Sequence, residues 1–152
     1  MDEDISKQMV SQCACFWVRA AARRLTRDYD EALQPLGLKM TQFSVLSIIK
    51  FSQPKSITNM ASMMAMERTS LVRTLNLLEK NGYVLLGQEG YRREREMKLT
   101  KAGEKIYQKA LPLWEAVQTT FKARLDDDEW ERNIPFIKDM AFGPFDKKAT
   151  QD

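Results

Sequence analysis

The order of the elements predicted between residues 56 and 100 constrains this chain more than any other feature of its sequence. Apolar residues recur at helical spacing in two short segments, and two strand-like segments then flank an arginine-rich turn. The predicted elements are helices over 56–64 and 67–80, a stop at Asn81-Gly82, strands over 83–86 and 94–99, and a turn over 87–93. This order predicts a helix-turn-helix followed by a wing. Such a helix can fill the major groove of DNA, and a basic hairpin can reach the adjacent minor groove.

The two predicted helices each have an apolar face and a polar face. The inward residues are Ile57, Met60, Ala61 and Met64 in the first helix, and Leu71, Val72, Leu75 and Leu78 in the second. The candidate contacts with DNA are Arg68, Thr69, Ser70, Arg73 and Thr74 on the second helix, and Arg92, Arg93 and Arg95 in the wing. Hydroxyls and guanidinium groups suit base edges and phosphates. Two alternatives stay open: Arg73 could form an ion pair with Glu79, and the wing arginines could keep an exposed edge strand from pairing with another chain.

The bulk composition is that of one ordinary domain. The chain has 152 residues and a net charge of +3, which excludes a histone-like polycation. No apolar run approaches the roughly 20 residues that cross a bilayer. The acidic start Met1-Asp2-Glu3-Asp4 lacks the features of a signal peptide. We therefore expect a cytoplasmic protein with no membrane partner.

Residue types that enzymes rely on are scarce in this chain. It contains no histidine, the commonest general base and metal ligand, and only two cysteines, Cys13 and Cys15. It also lacks a phosphate-binding glycine loop and an evident nucleophile–base pair. The sequence therefore predicts no catalytic site, no metal and no cofactor. A protein-interaction module that uses the same architecture without DNA is the other class considered, and the outward polar face of the second helix argues against it.

Long amphipathic helices are predicted on both sides of the helix-turn-helix. One runs over 5–33 and ends at Pro35 and Gly37, and a buried helix then follows an N-cap at Thr41. Thr100 is the predicted N-cap of another long helix, and Pro135 is expected to break the last one. The fold class is mainly α with a small β-wing. The predicted division is a single chain over 1–152, with a DNA-binding part over 41–100 and dimerisation helices over 1–36 and 101–152. A homodimer would place two reading helices about 34 Å apart.

Several local motifs together resemble the MarR family of bacterial winged-helix regulators. They are Pro35-Leu36-Gly37-Leu38 with Thr41-Gln42-Phe43, Glu67 to Arg73 with Leu78 to Val84, and Arg93, Arg95 and Leu99 to Gly103. The resemblance implies a dimer, usually a repressor, that binds a pseudo-palindromic operator in double-stranded DNA. It also implies that Thr69, Ser70 and Arg73 lie at recognition positions and that Arg93 enters the minor groove. Where the family often has an aspartate that pairs with that arginine, this chain has Tyr91, and Glu94 or Glu96 is a candidate substitute.

The resemblance also implies a small-molecule effector, often aromatic and anionic, that binds between the dimer helices and the winged part. The candidate wall residues are Phe16, Trp17, Arg19, Arg23, Phe43 and Leu46. Apolar side chains with one or two guanidinium groups suit an aromatic carboxylate. The alternative is that these residues form the dimer core and its surface charges.

A second way of regulation follows from a likeness to the branch of the family that senses organic hydroperoxides. Its reactive cysteine precedes a phenylalanine in the first helix, as Cys15 precedes Phe16 here. Tyr29 matches one of two tyrosines that hydrogen-bond that cysteine, and Arg19 stands at the other position. Within a continuous helix the side chains of Cys13 and Cys15 would point about 200° apart, which disfavours a disulfide between them. The alternative is that Cys15 is a small residue in a dimer interface.

Overall fold

The computed structural model describes residues 2–91 and 94–142 and confirms a mainly helical fold with one two-stranded sheet. In chain order the elements are α1 (Asp2–Gln12), α2 (Ala14–Leu33), a 3-10 turn (Gln34–Leu36), α3 (Met40–Ser52), α4 (Ile57–Met63), α5 (Arg68–Lys80), β1 (Val84–Leu86), β2 (Met97–Leu99), α6 (Lys101–Lys122) and α7 (Asp127–Phe142). No helix in these two ranges has the length and apolar character needed to cross a membrane.

The hydrophobic core lies where α3, α5, α6 and the sheet meet. Leu46 of α3 and Leu71 and Leu75 of α5 have no exposed surface. Tyr107 of α6 and Val84 of β1 are buried against the same cluster. A fully buried leucine contributes about 1.5–3 kcal/mol relative to an exposed one, so this cluster holds α5 at a fixed angle to the rest.

The predicted helix-turn-helix is confirmed as α4 and α5. Ser56 caps α4, since its Oγ accepts a hydrogen bond from the amide of Asn59 at 3.0 Å. α5 ends at Lys80, and two residues later Gly82 adopts φ +73°, a conformation that glycine reaches without the steric cost of a Cβ atom. The predicted inward residues of both helices are buried or half-buried.

The wing is a shorter hairpin than the sequence predicts. β1 and β2 pair antiparallel with Val84 opposite Leu99, and the amide of Gly87 adds one bond to the carbonyl of Glu96 at 2.8 Å. The prediction that the returning strand begins at residue 94 is wrong, because β2 begins at Met97. The amide of Arg95 does not bond to the opposite side of the hairpin and donates to the carbonyl of Lys55 at 3.0 Å.

α6 begins directly against the root of the wing. The hydroxyl of Thr100 accepts from the amide of Gly103 at 2.9 Å, which confirms the predicted N-cap. The amide of Thr100 donates to the carbonyl of Tyr83 at 3.0 Å. A Cβ atom at residue 103 would lie 1.9 Å from that carbonyl oxygen. Only glycine therefore allows α6 and the start of β1 to approach this closely.

The predicted first helix over 5–33 is wrong in one respect, because it is interrupted at Cys13. Cys13 has an extended backbone, with ψ 109°, and separates α1 from α2. The indole Nε1 of Trp17 donates to the carbonyl of Ser11 at 3.3 Å, which satisfies a carbonyl near the interruption.

α3 begins two residues before the position that the sequence predicts. Its N-cap is Lys39, not Thr41, and the amide of Met40 donates to Oδ1 of Asp30 at 2.7 Å. Asp30 belongs to α2, so a side chain from a neighbouring helix supplies this cap. The helix continues to Ser52.

The expected break at Pro135 is also wrong, because α7 runs through it from Asp127 to Phe142. A proline inside a helix removes one backbone hydrogen bond. Pro135 is exposed, so water can bond to the carbonyl that it leaves without a partner.

The close approach at Gly103 generates the first prediction. Gly103→Ala should lower the free energy of unfolding by about 1–3 kcal/mol, because the new methyl group overlaps a backbone carbonyl that cannot rotate away. Gly90→Ala is the matched control, since the nearest atom to its Cβ is 3.6 Å away, and it should change stability by less than about 0.5 kcal/mol. Urea unfolding followed by circular dichroism measures both. Equal stability of the two variants would contradict the contact.

Candidate functional site

α5 presents a polar face on the side opposite to the core. Leu71, Leu75 and Leu78 fix its inner side, each with no exposed surface. The outward residues Arg68, Thr69, Ser70 and Arg73 are exposed and Thr74 is half-buried. The Thr74 hydroxyl donates to the carbonyl of Ser70 at 3.1 Å within the helix. The structure therefore brings all five candidate residues of this helix onto one surface.

The two arginines of this face have no partner within the chain as described. Neither the side chain of Arg68 nor that of Arg73 makes a hydrogen bond or ion pair with another described residue. Glu79, the alternative partner for Arg73, accepts instead from the amide of Leu86 at 3.2 Å. Their guanidinium groups are therefore available to an anion, and five donors in a planar fork suit phosphate or the edge of a guanine.

Of the three wing arginines predicted to contact DNA, the structure describes only Arg95. Arg92 and Arg93 lie outside the described residues. The carboxylate of Glu96, a candidate partner for Arg93, lies 2.5 Å from the ammonium group of Lys98, and both side chains are about two-thirds exposed. Glu94 is exposed near the tip.

Arg95 is half-buried and points along the hairpin, although the sequence groups it with the residues expected to touch DNA. Its Nε donates to the carbonyl of Gly87 at 2.7 Å. This position does not support a DNA contact for Arg95. Sequence reasoning missed the role because the partner is a backbone carbonyl eight residues away, which leaves no mark in the composition.

The six predicted effector residues do not converge on one site in the chain. Phe16 and Trp17 are 42% and 52% exposed on α2, where their rings meet edge to face at 5.2 Å. Arg19 and Arg23 are exposed on the same helix. The remaining two lie in α3 within the hydrophobic core, Phe43 at 4% and Leu46 at 0% exposure.

A cavity of about 360 Å³ lies between α3 and α6 and includes one of those six, Phe43. It is lined by Met40, Phe43, Ser44, Ser47, Ile48, Tyr107, Leu111 and Trp114, none of which is charged. The rings of Phe43 and Tyr107 stack at 5.3 Å, and Trp114 lies 6.2 Å from Phe43. The spacing of Tyr107, Leu111 and Trp114 along α6 is the sequence signal that could have found this wall.

The hydroxyl of Tyr29 forms a hydrogen bond with another helix and not with Cys15. Its hydroxyl donates to Oε1 of Gln118 in α6, and burial raises the pKa of the phenol above its usual value of 10.0. Both Cys15 and Tyr29 lie on α2, about 21 Å apart along its axis at 1.5 Å per residue. Within one chain they cannot meet, so any contact between them requires a second copy.

The two cysteines lie on either side of the first residue of α2. Cys13 occupies the interruption and is half-buried, and Cys15 is exposed in the first turn of α2; both are free thiols. Because Cys13 and Cys15 do not belong to one continuous helix, the separation of about 200° expected within such a helix does not apply to their side chains. Among the described residues no group of three or more His, Cys, Asp or Glu side chains could hold a metal ion.

The sequence of this chain is similar to those of bacterial transcriptional regulators. A model of the MarR family matches residues 38–85. An uncharacterized HTH-type transcriptional regulator, YwoH of Bacillus subtilis, is 33% identical over 91 residues, which are 60% of this chain and 66% of YwoH. A similar regulator of Bacillus cereus is 32% identical over 61% of its length. The matched segment thus spans a little less than two thirds of these curated relatives.

Solved structures extend the similarity over most of the chain. The transcriptional regulator MosR of M. tuberculosis is 35% identical, with a TM-score of 0.75 over 86% of this chain and 96% of MosR. MosR in complex with DNA gives 37% identity and a TM-score of 0.76, over 86% of this chain and 94% of that one. CouR of Rhodococcus jostii, bound to p-coumaroyl-CoA, is similar in fold, with 20% identity and a TM-score of 0.76 over 92% of this chain and 99% of CouR.

Proposed function

Because this chain belongs to the MarR family of transcriptional regulators, we propose that it is a dimeric repressor that a small aromatic ligand releases from a pseudo-palindromic DNA site. Its relatives are regulators and not enzymes. The protein acts on the chromosome and therefore in the bacterial cytoplasm. The regulator MosR, which is similar over most of its length, has been solved with DNA, and this supports the same partner here.

The observation that carries the proposal is the outward face of α5. Two arginines without an internal partner and two exposed hydroxyl residues lie on a helix whose other side is locked into the core. A rigid helix positions its side chains more accurately than a loop does, which base readout requires. The proposed contacts are Arg68, Thr69, Ser70, Arg73 and Thr74, joined by Arg92 and Arg93 of the wing.

A second copy of the chain is the proposed occupant of two exposed apolar faces. Ten large apolar side chains between 39% and 62% exposed lie on the outer helices: Ile5, Met9, Val10, Phe16, Trp17 and Val18 on α1 and α2, and Phe136, Ile137, Met140 and Phe142 on α7. Large exposed apolar patches in soluble proteins often mark surfaces that bind another protein. A two-fold dimer would cover it and would present two copies of α5 to successive turns of one DNA face.

The cavity between α3 and α6 is the proposed effector site. Its stacked aromatic wall suits a flat ring, and its volume of about 360 Å³ is in the range of small-ligand pockets. CouR, which shares the fold, is bound to p-coumaroyl-CoA, a molecule with an aromatic group. Since no charged residue lines the cavity, the part of the ligand that enters it carries no charge. Arg19 and Arg23 lie outside this lining, so the expected anionic group has no partner in the cavity.

A second candidate function is release of DNA after oxidation of Cys15 by an organic hydroperoxide. The observation that favours it is the exposure of this thiol in the first turn of α2, next to the interruption at Cys13. The thiolate sulfur attacks the terminal oxygen of the hydroperoxide and the O–O bond breaks. The sulfur keeps the OH group as a sulfenic acid, and the alkoxide takes a proton from water and leaves as the alcohol. Oxidation would act at the face proposed to meet the second copy.

The DNA-binding proposal predicts the effect of Arg73→Ala. The variant should bind a duplex selected from a randomised library about 10- to 100-fold more weakly, because a guanidinium fork on the reading face is lost. Lys105→Ala, which removes an exposed cation from α6, is the control and should change affinity less than about twofold. Fluorescence anisotropy at two salt concentrations measures the affinities. Sedimentation of the complex should show two chains per duplex. Equal affinities of Arg73→Ala and the unmodified chain would refute the assignment.

The cavity proposal predicts a preference for neutral aromatic compounds. Indole should bind at least about tenfold more tightly than indole-3-carboxylate, because burial of a carboxylate without a partner is costly. Ser47→Leu should abolish indole binding by filling the cavity, and Ser52→Leu at the exposed end of α3 should not. Calorimetry measures both, and loss of DNA binding on adding indole reports release. Tight binding of the carboxylate, or unchanged binding to Ser47→Leu, would place the ligand elsewhere.

The oxidation proposal predicts a difference between the two cysteines. Treatment with cumene hydroperoxide should add one oxygen at Cys15 and weaken DNA binding at least about tenfold. Cys15→Ser should keep its affinity under the same treatment, whereas Cys13→Ser should still respond. Mass spectrometry and anisotropy on the same samples measure modification and binding. If confirmed oxidation leaves the affinity unchanged, this regulation does not occur.

A further inference from the structure

Arg95 joins three separated segments of the chain near the root of the wing. Its backbone amide donates to the carbonyl of Lys55, in the loop between α3 and α4, at 3.0 Å. Its side-chain Nε donates to the carbonyl of Gly87, on the other arm of the hairpin, at 2.7 Å. The residue is half-buried, so these bonds are partly shielded from water.

The wing needs such support because its ladder is short. β1 and β2 pair over only three residues each, and Gly87 adds one further bond to Glu96. An isolated two-stranded hairpin is marginally stable in water at best. Beyond Gly87 the chain turns through the bond between the amide of Gly90 and the carbonyl of Glu94, at 2.7 Å.

The two arms of the wing are attached to the helix-turn-helix at different points. On the first arm, the amide of Leu86 donates to the carboxylate of Glu79 in α5 at 3.2 Å. On the second arm, Arg95 bonds to the loop that precedes α4. The side chain of Arg95 then ties the second arm to the first. Loss of this side chain would leave the short ladder and the bond from Gly87 to Glu96 to hold the two arms together.

We propose that Arg95 is a positioning residue that holds the wing at a fixed angle to α5, and that it does not itself contact DNA. The proposal rests on the DNA-binding function proposed above. This role requires the bond that Nε donates to the carbonyl of Gly87, and it does not require the positive charge of the guanidinium group. Arg95 would act through the wing tip, which carries Arg92 and Arg93.

Glutamine and methionine form a matched pair for testing this role. The amide nitrogen of glutamine is as many bonds from Cα as Nε of arginine, so Arg95→Gln keeps a donor there and loses the charge. Arg95→Met has a similar unbranched shape and loses both. A residue that touches phosphate would be damaged equally by either change, whereas a positioning residue would be rescued by glutamine.

The first measurement is amide hydrogen exchange at Gly87 and Gly90 in the full chain without DNA. Exchange should be about tenfold faster in Arg95→Met than in the unmodified chain and less than about threefold faster in Arg95→Gln. Amides in α5 serve as the internal control and should be unchanged in both variants. Unaltered exchange at both glycines in Arg95→Met would overturn the proposal.

The second measurement is DNA affinity as a function of salt. Arg95→Met should bind about tenfold more weakly and lose protection at the outer edges of the DNA footprint, whereas Arg95→Gln should stay within about threefold of the unmodified chain. The slope of log K against log salt should be unchanged in Arg95→Gln, although this variant loses the same charge as Arg95→Met. An equal loss in both variants, with a slope smaller by about 0.9, would mean a phosphate contact and would overturn the proposal. If the unmodified chain selects no duplex, the proposed DNA-binding function fails, and the exchange data alone decide on the role of Arg95.

Discussion

The carbonyl of Tyr83 accepts the amide proton of Thr100 and lies against the Cα of Gly103, and the arrangement of the winged part depends on this contact. Tyr83 joins the end of α5 to β1, and Thr100 joins β2 to α6. One peptide group therefore fixes four elements at a single point. A second bond, from the Thr100 hydroxyl to the carbonyl of Gly82 at 2.6 Å, prevents rotation about the first. The wing and the long helix that leads away from it cannot move independently at their roots.

The parts of the fold that could be predicted are those set by neighbours in sequence. Ser56 and Thr100 cap helices through amides three residues ahead, so the signal lies within one turn. Two of the parts that were missed have different causes. At the start of α3 a carboxylate from a neighbouring helix, that of Asp30, accepts from the amide of Met40. The interruption at Cys13 contains neither proline nor glycine, so no residue type there indicates a break.

The candidate site divides in the same way. The polar face of α5 could be read from its spacing, because the buried leucines define where the remaining residues must point. The spacing along α6 indicates one wall of the cavity between α3 and α6, but not its partner across the cavity, because the stack of Phe43 on Tyr107 joins positions 64 residues apart. Arg95 shows a further difficulty. Its charge suggested a contact with a polyanion, whereas its geometry gives it a backbone carbonyl as partner. Residue type indicates what a side chain can do, and only packing shows which of those things it does.

The cavity between α3 and α6, proposed above as the effector site, has an uncharged lining, which would limit the signals that this chain can follow. Small neutral aromatic molecules partition into lipid and cross a bilayer unaided, whereas charged ones are held back. A regulator with such a cavity would respond to the concentration outside the cell without an uptake protein. Its threshold would then be set by the affinity of the cavity and by the rate at which the cell removes the compound.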